Sequence, residues 1–269
     1  MSARNGSLPP AVGGDIQVIA RCAQILRLFS TTQRTLRIAD VASELDLQRT
    51  TVHRYLTSMA NADLLERDAD GCYRLGPLQV QLGTVALRGL RVLEIADPYV
   101  QRLANDANET AVLAVWGGLG PVVARVHESD ARTVNIVVRV GSPLPLEAAQ
   151  SQVFLAFLKD PGNAQRLLSQ LPDGRRGEIQ ANLELVRRDG CLVSSEVVQG
   201  IRAIAAPVFD GHGDICATVA LVGTVSGIPD APDSGMALAL LHTAARLSHE
   251  LGYSGRLPFQ DLIETSQTA

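Results

Sequence analysis

Two stretches of helical periodicity that meet at a two-residue turn constrain this chain more than any other feature. Ile38, Val41, Ala42 and Leu45 fall at i, i+3, i+4 and i+7, so a short helix over them carries one apolar stripe. After the Asp46-Leu47 turn, Val52, Tyr55, Leu56 and Met59 repeat the spacing and predict a further helix from about Gln48 to Ala60. Upstream, Ile16, Ile19, Ala23 and Leu26 give a first helix an apolar face of its own, closed by Ser30-Thr31-Thr32. Downstream, Leu64 to Arg67 and Cys72 to Leu75 alternate around Asp68-Ala69-Asp70-Gly71, whose glycine accepts the positive φ of a tight turn. Three short helices followed by a hairpin make a winged helix-turn-helix.

With the apolar stripe of the third helix turned inward, the face left over presents Arg49, Thr50, His53, Arg54 and Thr57. Guanidinium groups pair with guanine edges or phosphates, and hydroxyls bond either. Gln48 and Thr51 lie near the helix start, where free amides attract phosphate. In the hairpin, Arg67 and Arg74 are placed to hold the flanking backbone. These features predict a helix that enters the major groove of double-stranded DNA. The competing reading is a merely solvated face. Lys159 is the only lysine against 23 arginines, so arginine by itself does not signal phosphate recognition here. The net charge of −4 argues against a uniformly basic coat, yet residues 1–90 carry +2 and the remainder −6, which suits a compact DNA contact joined to a domain with another task.

At 269 residues the chain has room for two cores. Residues 1–14, with Pro9-Pro10 and Gly13-Gly14, read as a mobile tail, 15–76 as the winged domain and 77–95 as a linker helix opened by Gly76-Pro77. Asp97-Pro98 restarts a helix, and 96–252 read as an α+β domain with a mainly antiparallel sheet, followed by a tail over 253–269. Its expected strands are 110–116, 121–127 across Gly117 to Gly120, 133–139, 201–209 and 215–222; its expected helices are 149–158, 164–171, 177–188 and 235–251. No apolar run reaches the roughly 18 residues of a membrane span, and Met1 to Gly14 lacks a signal-peptide layout, so a soluble, cytoplasmic protein is expected. Cys22, Cys72, Cys191 and Cys216 are too scattered for a zinc site or a disulfide framework, and neither a metal nor a cofactor is expected.

Thr51-Val52-His53-Arg54, followed by Asp70-Gly71-Cys72-Tyr73-Arg74-Leu75-Gly76, resembles the isocitrate lyase regulator (IclR) family, whose pattern there is close to STVHRLL and then DGRYRLG. Gly200 to Gly223, with Ile204-Ala205-Ala206-Pro207-Val208-Phe209-Asp210, is similar to the family's second-domain core. The resemblance implies a GAF-like effector domain that binds a small organic molecule and alters operator affinity. It also implies a homodimer or homotetramer on a palindromic operator, and a repressor ahead of an activator. In the family the ligand lies between the sheet and a loop entering a helix after Pro-Leu-His. The matching stretch here is Pro145 to Val153, with Glu147 where His is usual and Gln152-Val153 where Gly-Lys is usual. The matching sheet positions are Ile201, Ala203, Ala220 and Val222. An apolar floor with Gln150, Ser151 and Gln152 at its rim suits a larger, less charged molecule than a simple carboxylate. Glu147 either faces inward, favouring a cationic or hydroxyl group, or is an exposed helix-start residue.

The alternatives are an enzyme in residues 96–252 and an architectural protein without an effector. Gly223-Thr224-Val225-Ser226-Gly227 has the wrong spacing for a nucleophile elbow, and adjacent His127 and Glu128 point to opposite faces of a strand. Gly117-Gly118-Leu119-Gly120 joins two strands instead of opening a helix with a Lys, and Cys191 is a lone thiol.

Overall fold

The computed structural model describes residues 16–129, 138–194, 197–231 and 233–266, so the expected tail over 1–14 lies outside the described residues. The chain divides into two compact units between Gly89 and Leu90.

In the first unit, α1 (Gln17–Leu26), α2 (Ile38–Glu44) and α3 (Arg49–Asn61) precede a hairpin of β1 (Leu65–Arg67) and β2 (Tyr73–Leu75). Ile25, Leu36, Val41, Val52, Leu56, Met59, Leu65 and Tyr73 form its core, each contributing on the order of 1.5–3 kcal/mol where a large side chain is fully buried. The α2–α3 turn closes with Asp46 at φ +49, and Leu47 N–H donates to Ala42 O. In the wing, Gly71 takes φ +77, and Asp68 Oδ1 accepts from the N–H groups of Asp70 and Cys72 at 3.0 and 2.8 Å. An antiparallel bridge between Leu36 and Tyr73 fastens the segment before α2 to the wing.

The expected apolar face of α1 is only half used. Ile25 is inaccessible with Cys22 and Leu26 packed beside it, whereas Ile16 and Ile19 are 67% and 65% exposed. Spacing identified an apolar face, but the core built on Val41 and Val52 meets only the last turns of the helix. The expected linker helix is also interrupted. Pro77 opens α4 (Pro77–Arg88), the chain leaves helical geometry at Leu90, and α5 (Arg91–Ile95) follows. No residue of α4 is buried; Val80, Leu82, Val85 and Leu87 are exposed.

The second unit is built on a five-stranded antiparallel sheet of order β4-β3-β7-β6-β5, formed by β3 (Thr110–Trp116), β4 (Pro121–His127), β5 (Leu192–Ser194), β6 (Ile201–Phe209) and β7 (Ile215–Thr224). One face packs on α5, α6 (Asp97–Ala107) and α10 (Gly235–Glu250), the other on α7 (Ala149–Phe157) and α9 (Asp173–Asp189), with α8 (Pro161–Leu168) joining them. Helices on both faces explain why β6 from Ala203 and β7 read as nearly continuous apolar runs instead of alternating ones. Ala149, Ala205 and Ala220 are small enough to let α7 settle closely on the sheet. Gly117 N–H donates to Gly120 O across the β3–β4 hairpin, and Gly118 sits at φ +90, so these glycines make a turn. The strand expected over 133–139 falls mainly outside the described residues, and Val138 and Arg139 are not in a strand.

The segment expected as a tail from 253 is instead part of this unit. Leu257, Phe259 and Ile263 enter the core, the last within α11 (Gln260–Ser266), and Tyr253 stacks on Phe209 with ring centroids 5.3 Å apart.

Candidate nucleic-acid interface and effector site

The apolar stripe of α3, Val52, Leu56 and Met59, is buried, and this leaves Arg49, Thr50, His53 and Arg54 on the solvent side. Those four side chains converge with the wing. Together with Arg37 just before α2, Ile38 and Ala39 of α2, and Asp70 and Gly71 of the turn, they line one open groove of about 650 Å³. Arg49 and Arg54 make no ion pair among the described residues, so both charges are available to an anion. Gln48 is the exposed N-cap of α3 and makes no side-chain cap, while Thr51 and Thr57 are half-buried at the edge of the face. Tyr55 packs against the core.

The wing arginines are engaged within the hairpin. Arg74 Nη2 and Nε donate to the two carboxylate oxygens of Glu66 at 2.8 and 3.3 Å, which holds the Glu66 carboxyl below its usual range. The Arg67 guanidinium lies 5.8 Å over the Tyr73 ring. Arg37 was not singled out by sequence reasoning. The one signal for it is an arginine at a helix N-cap, where Ser, Thr, Asp or Asn is favoured.

In the second unit, Ile201, Ala203, Ala220 and Val222 share the sheet face under α7: Ala203 pairs with Val222, Ala205 with Ala220 and Ile201 with Thr224. The polar residues expected at a rim are not at one. Gln150, Ser151 and Gln152 are all buried, because they form the first turn of α7 with the sheet beneath and α9 alongside. Gln150 Nε2 donates to Val112 O, Thr218 O and Thr218 Oγ1 at 3.3, 3.1 and 3.2 Å. Gln152 Nε2 donates to Glu147 O at 2.7 Å and its Oε1 accepts from Asn182 Nδ2 at 2.9 Å. Both amides are committed to holding α7 in place. Ser151 Oγ is different: it is fully buried and finds no hydrogen-bond partner among the described residues, as does Thr110 Oγ1 opposite Val222 on the same sheet face. An unpaired buried hydroxyl costs about 1–3 kcal/mol, so each is a place where a bound polar group gains. Glu147 is half-buried.

Among the described residues no cluster of His, Cys, Asp and Glu is arranged to hold a metal ion. Burial pushes the thiols of Cys191 and Cys216 up to about 12, the opposite of what a nucleophile needs. His127 Nε2 lies 3.1 Å from Asp97 Oδ1, which also takes Arg125 Nε at 3.3 Å, a tie between β4 and the start of α6.

Residues 18–69 match the model of the IclR helix-turn-helix domain, and residues 84–249 match that of the bacterial transcriptional regulator IclR C-terminal domain. The chain belongs to the IclR family of transcriptional regulators. The IclR-family glycerol operon regulatory protein of Streptomyces griseus is 30% identical over 256 residues, covering 88% of this chain and 97% of that protein. BhcR of Paracoccus denitrificans is 27% identical over 258 residues, 91% of each chain. Among solved IclR structures, the regulator from Alicyclobacillus acidocaldarius superposes with a TM-score of 0.67 at 27% identity, over 87% of this chain and 98% of that one. An IclR homologue from Microbacterium hydrocarbonoxydans, complexed with 4-hydroxybenzoate, superposes with a TM-score of 0.66 at 22% identity, over 87% of this chain and 98% of that one. As an IclR regulator, the chain joins a DNA-binding helix-turn-helix domain to an effector-binding domain, and it is not an enzyme. No helix among the described residues is long and apolar enough to cross a membrane.

Proposed function

We propose that this IclR regulator is a cytoplasmic repressor that binds a palindromic operator as a homodimer or as a homotetramer built from such dimers. The α3 helix of each copy enters the major groove of one half-site, with Arg49, Thr50, His53 and Arg54 toward the bases and Gln48, Thr51, Arg67 and Arg74 toward the backbone. The observation that carries this reading is the convergence of four solvent-facing α3 side chains with the wing in one groove, its α3 arginines unpaired among the described residues. The Glu66 pair limits what Arg74 adds, because DNA must compete with a carboxylate for it.

Pairing with a second copy is supported by exposed apolar side chains that a lone chain leaves in water: Ile16, Val18 and Ile19 at α1, and Val80, Leu82, Val85 and Leu87 on α4. A small effector held between α7 and the sheet is supported by the floor of Ile201, Ala203, Ala220 and Val222 and the unpaired hydroxyls of Thr110 and Ser151. Glu147 stands at the entrance to α7, where it disfavours a carboxylate ligand. Effector binding shifts operator affinity only by the amount that it prefers one arrangement of the paired domains.

The test is Arg54→Ala against two duplexes, one selected by the wild-type protein from a randomised pool and one scrambled. A base contact costs about 1–3 kcal/mol on the selected duplex and far less on the scrambled one. An equal loss on both removes the base-reading role.

A further inference from the structure

Arg37 occupies a position that helix chemistry disfavours. It is the N-cap of α2, where a short oxygen-bearing side chain satisfies free amides and where the helix dipole repels a cation. Capping falls instead to Asp40, whose Oδ2 accepts from the Arg37 backbone N–H at 3.0 Å, so the helix start gains nothing from the guanidinium. That side chain is exposed, makes no carboxylate ion pair among the described residues, and lines the same groove as Arg49, Thr50, His53 and Arg54. Its guanidinium meets the Cys72 side chain of the wing and lies in the field of the Asp40 and Asp70 carboxylates. Its backbone is also fixed, since the preceding residue, Leu36, bridges to Tyr73 of β2. A residue that breaks the helix-capping rule for no more than a contact with one thiol points to a function elsewhere.

We infer that Arg37 is a DNA phosphate contact that joins the start of α2 to the wing on the rim of the reading groove. The inference rests on the DNA-binding reading of that groove. The first helix of a helix-turn-helix crosses the backbone while the second enters the groove, which assigns Arg37 to phosphate and Arg49 and Arg54 to the base side. The contact answers a second need. Asp70 lines the groove and repels phosphate, and Arg37 lines the same groove as a cation within the field of that carboxylate, which it offsets.

The experiment uses the full chain with Arg37→Ser and Arg37→Lys, and the selected and scrambled duplexes described above, across a salt series. Arg37→Ser is expected to melt no lower than wild type, because serine is a better N-cap. It should bind both duplexes about tenfold more weakly near 0.1 M salt, and log K against log salt should become shallower by about 0.9 per Arg37 removed. Arg37→Lys should keep the wild-type slope. Unchanged affinity and slope for Arg37→Ser overturn the inference. So does a loss confined to the selected duplex with the slope intact, or a loss matched by a lower melting temperature in both variants. A wild-type protein that selects no duplex overturns the reading of the groove as well, which separates that failure from failure of Arg37 alone.

Discussion

Replacing Gly190 by alanine should destabilise the effector unit through a residue 69 positions away in sequence. Gly190 ends α9 at φ +72, where a side chain costs about 1–2 kcal/mol. An added Cβ would lie 2.4 Å from Phe259 Cβ and 2.5 Å from its Cδ1, closer than non-bonded carbons approach, so Phe259 must leave its site. Phe259 is 1% exposed, and losing such a ring from a core costs about 3–5 kcal/mol when complete, less when it resettles. Gly190→Ala should therefore cost about 3–5 kcal/mol and lower the melting temperature of a unit this size by on the order of 10 °C. Gly200→Ala is the control: it shares the strained backbone at φ +81 but meets nothing within 4 Å, and should cost about 1 kcal/mol. Calorimetry reads both variants. Equal melting temperatures for the two would refute the docking of Phe259 against α9. Adding Phe259→Ala to Gly190→Ala should cost less than Phe259→Ala costs alone in wild type.

Two further outcomes follow from buried polar groups. The Cys191 and Cys216 thiols, raised above 9.0 to about 12, favour the fold while neutral, a contribution present below pH 9 and lost as pH rises toward 12. At pH 8 a disulfide reagent should label buried Cys191 far more slowly than in denatured protein, with half-buried Cys216 in between, and an equal rate for Cys191 would contradict its burial. Thr110→Val and Ser151→Ala each remove an unpaired buried hydroxyl, so each should raise stability by about 1 kcal/mol. If these hydroxyls meet the effector, affinity for a ligand found by metabolite screening should fall about tenfold; unchanged affinity in both variants would rule them out.

How much was legible in the sequence follows the range of the interactions. The α2–turn–α3 pattern and the Asp68–Gly71 turn are written within a few residues, and Arg49, Thr50, His53 and Arg54 share one helix face, so local periodicity was enough to place them together. Arg37 enters the groove at the start of α2 and is brought to the wing by the Leu36–Tyr73 bridge, which no local pattern records. Periodicity also gives the apolar side of α1 without saying what covers it, which is why Ile16 and Ile19 were expected inside. Gln150 and Gln152 look like a polar rim in sequence. Their partners at Val112, Thr218 and Asn182 are distant along the chain and turn them into braces. The place of Phe259 depends on an absent side chain at Gly190.

The most direct test of the central account is a methylation-interference footprint of the full-length protein on its selected duplex. The account predicts two blocks of major-groove guanine interference related by a two-fold axis, their centres about 10 bp or a multiple of it apart, and both lost with Arg49→Ala/Arg54→Ala. A footprint confined to the minor groove, or one unaltered by that double substitution, would contradict it.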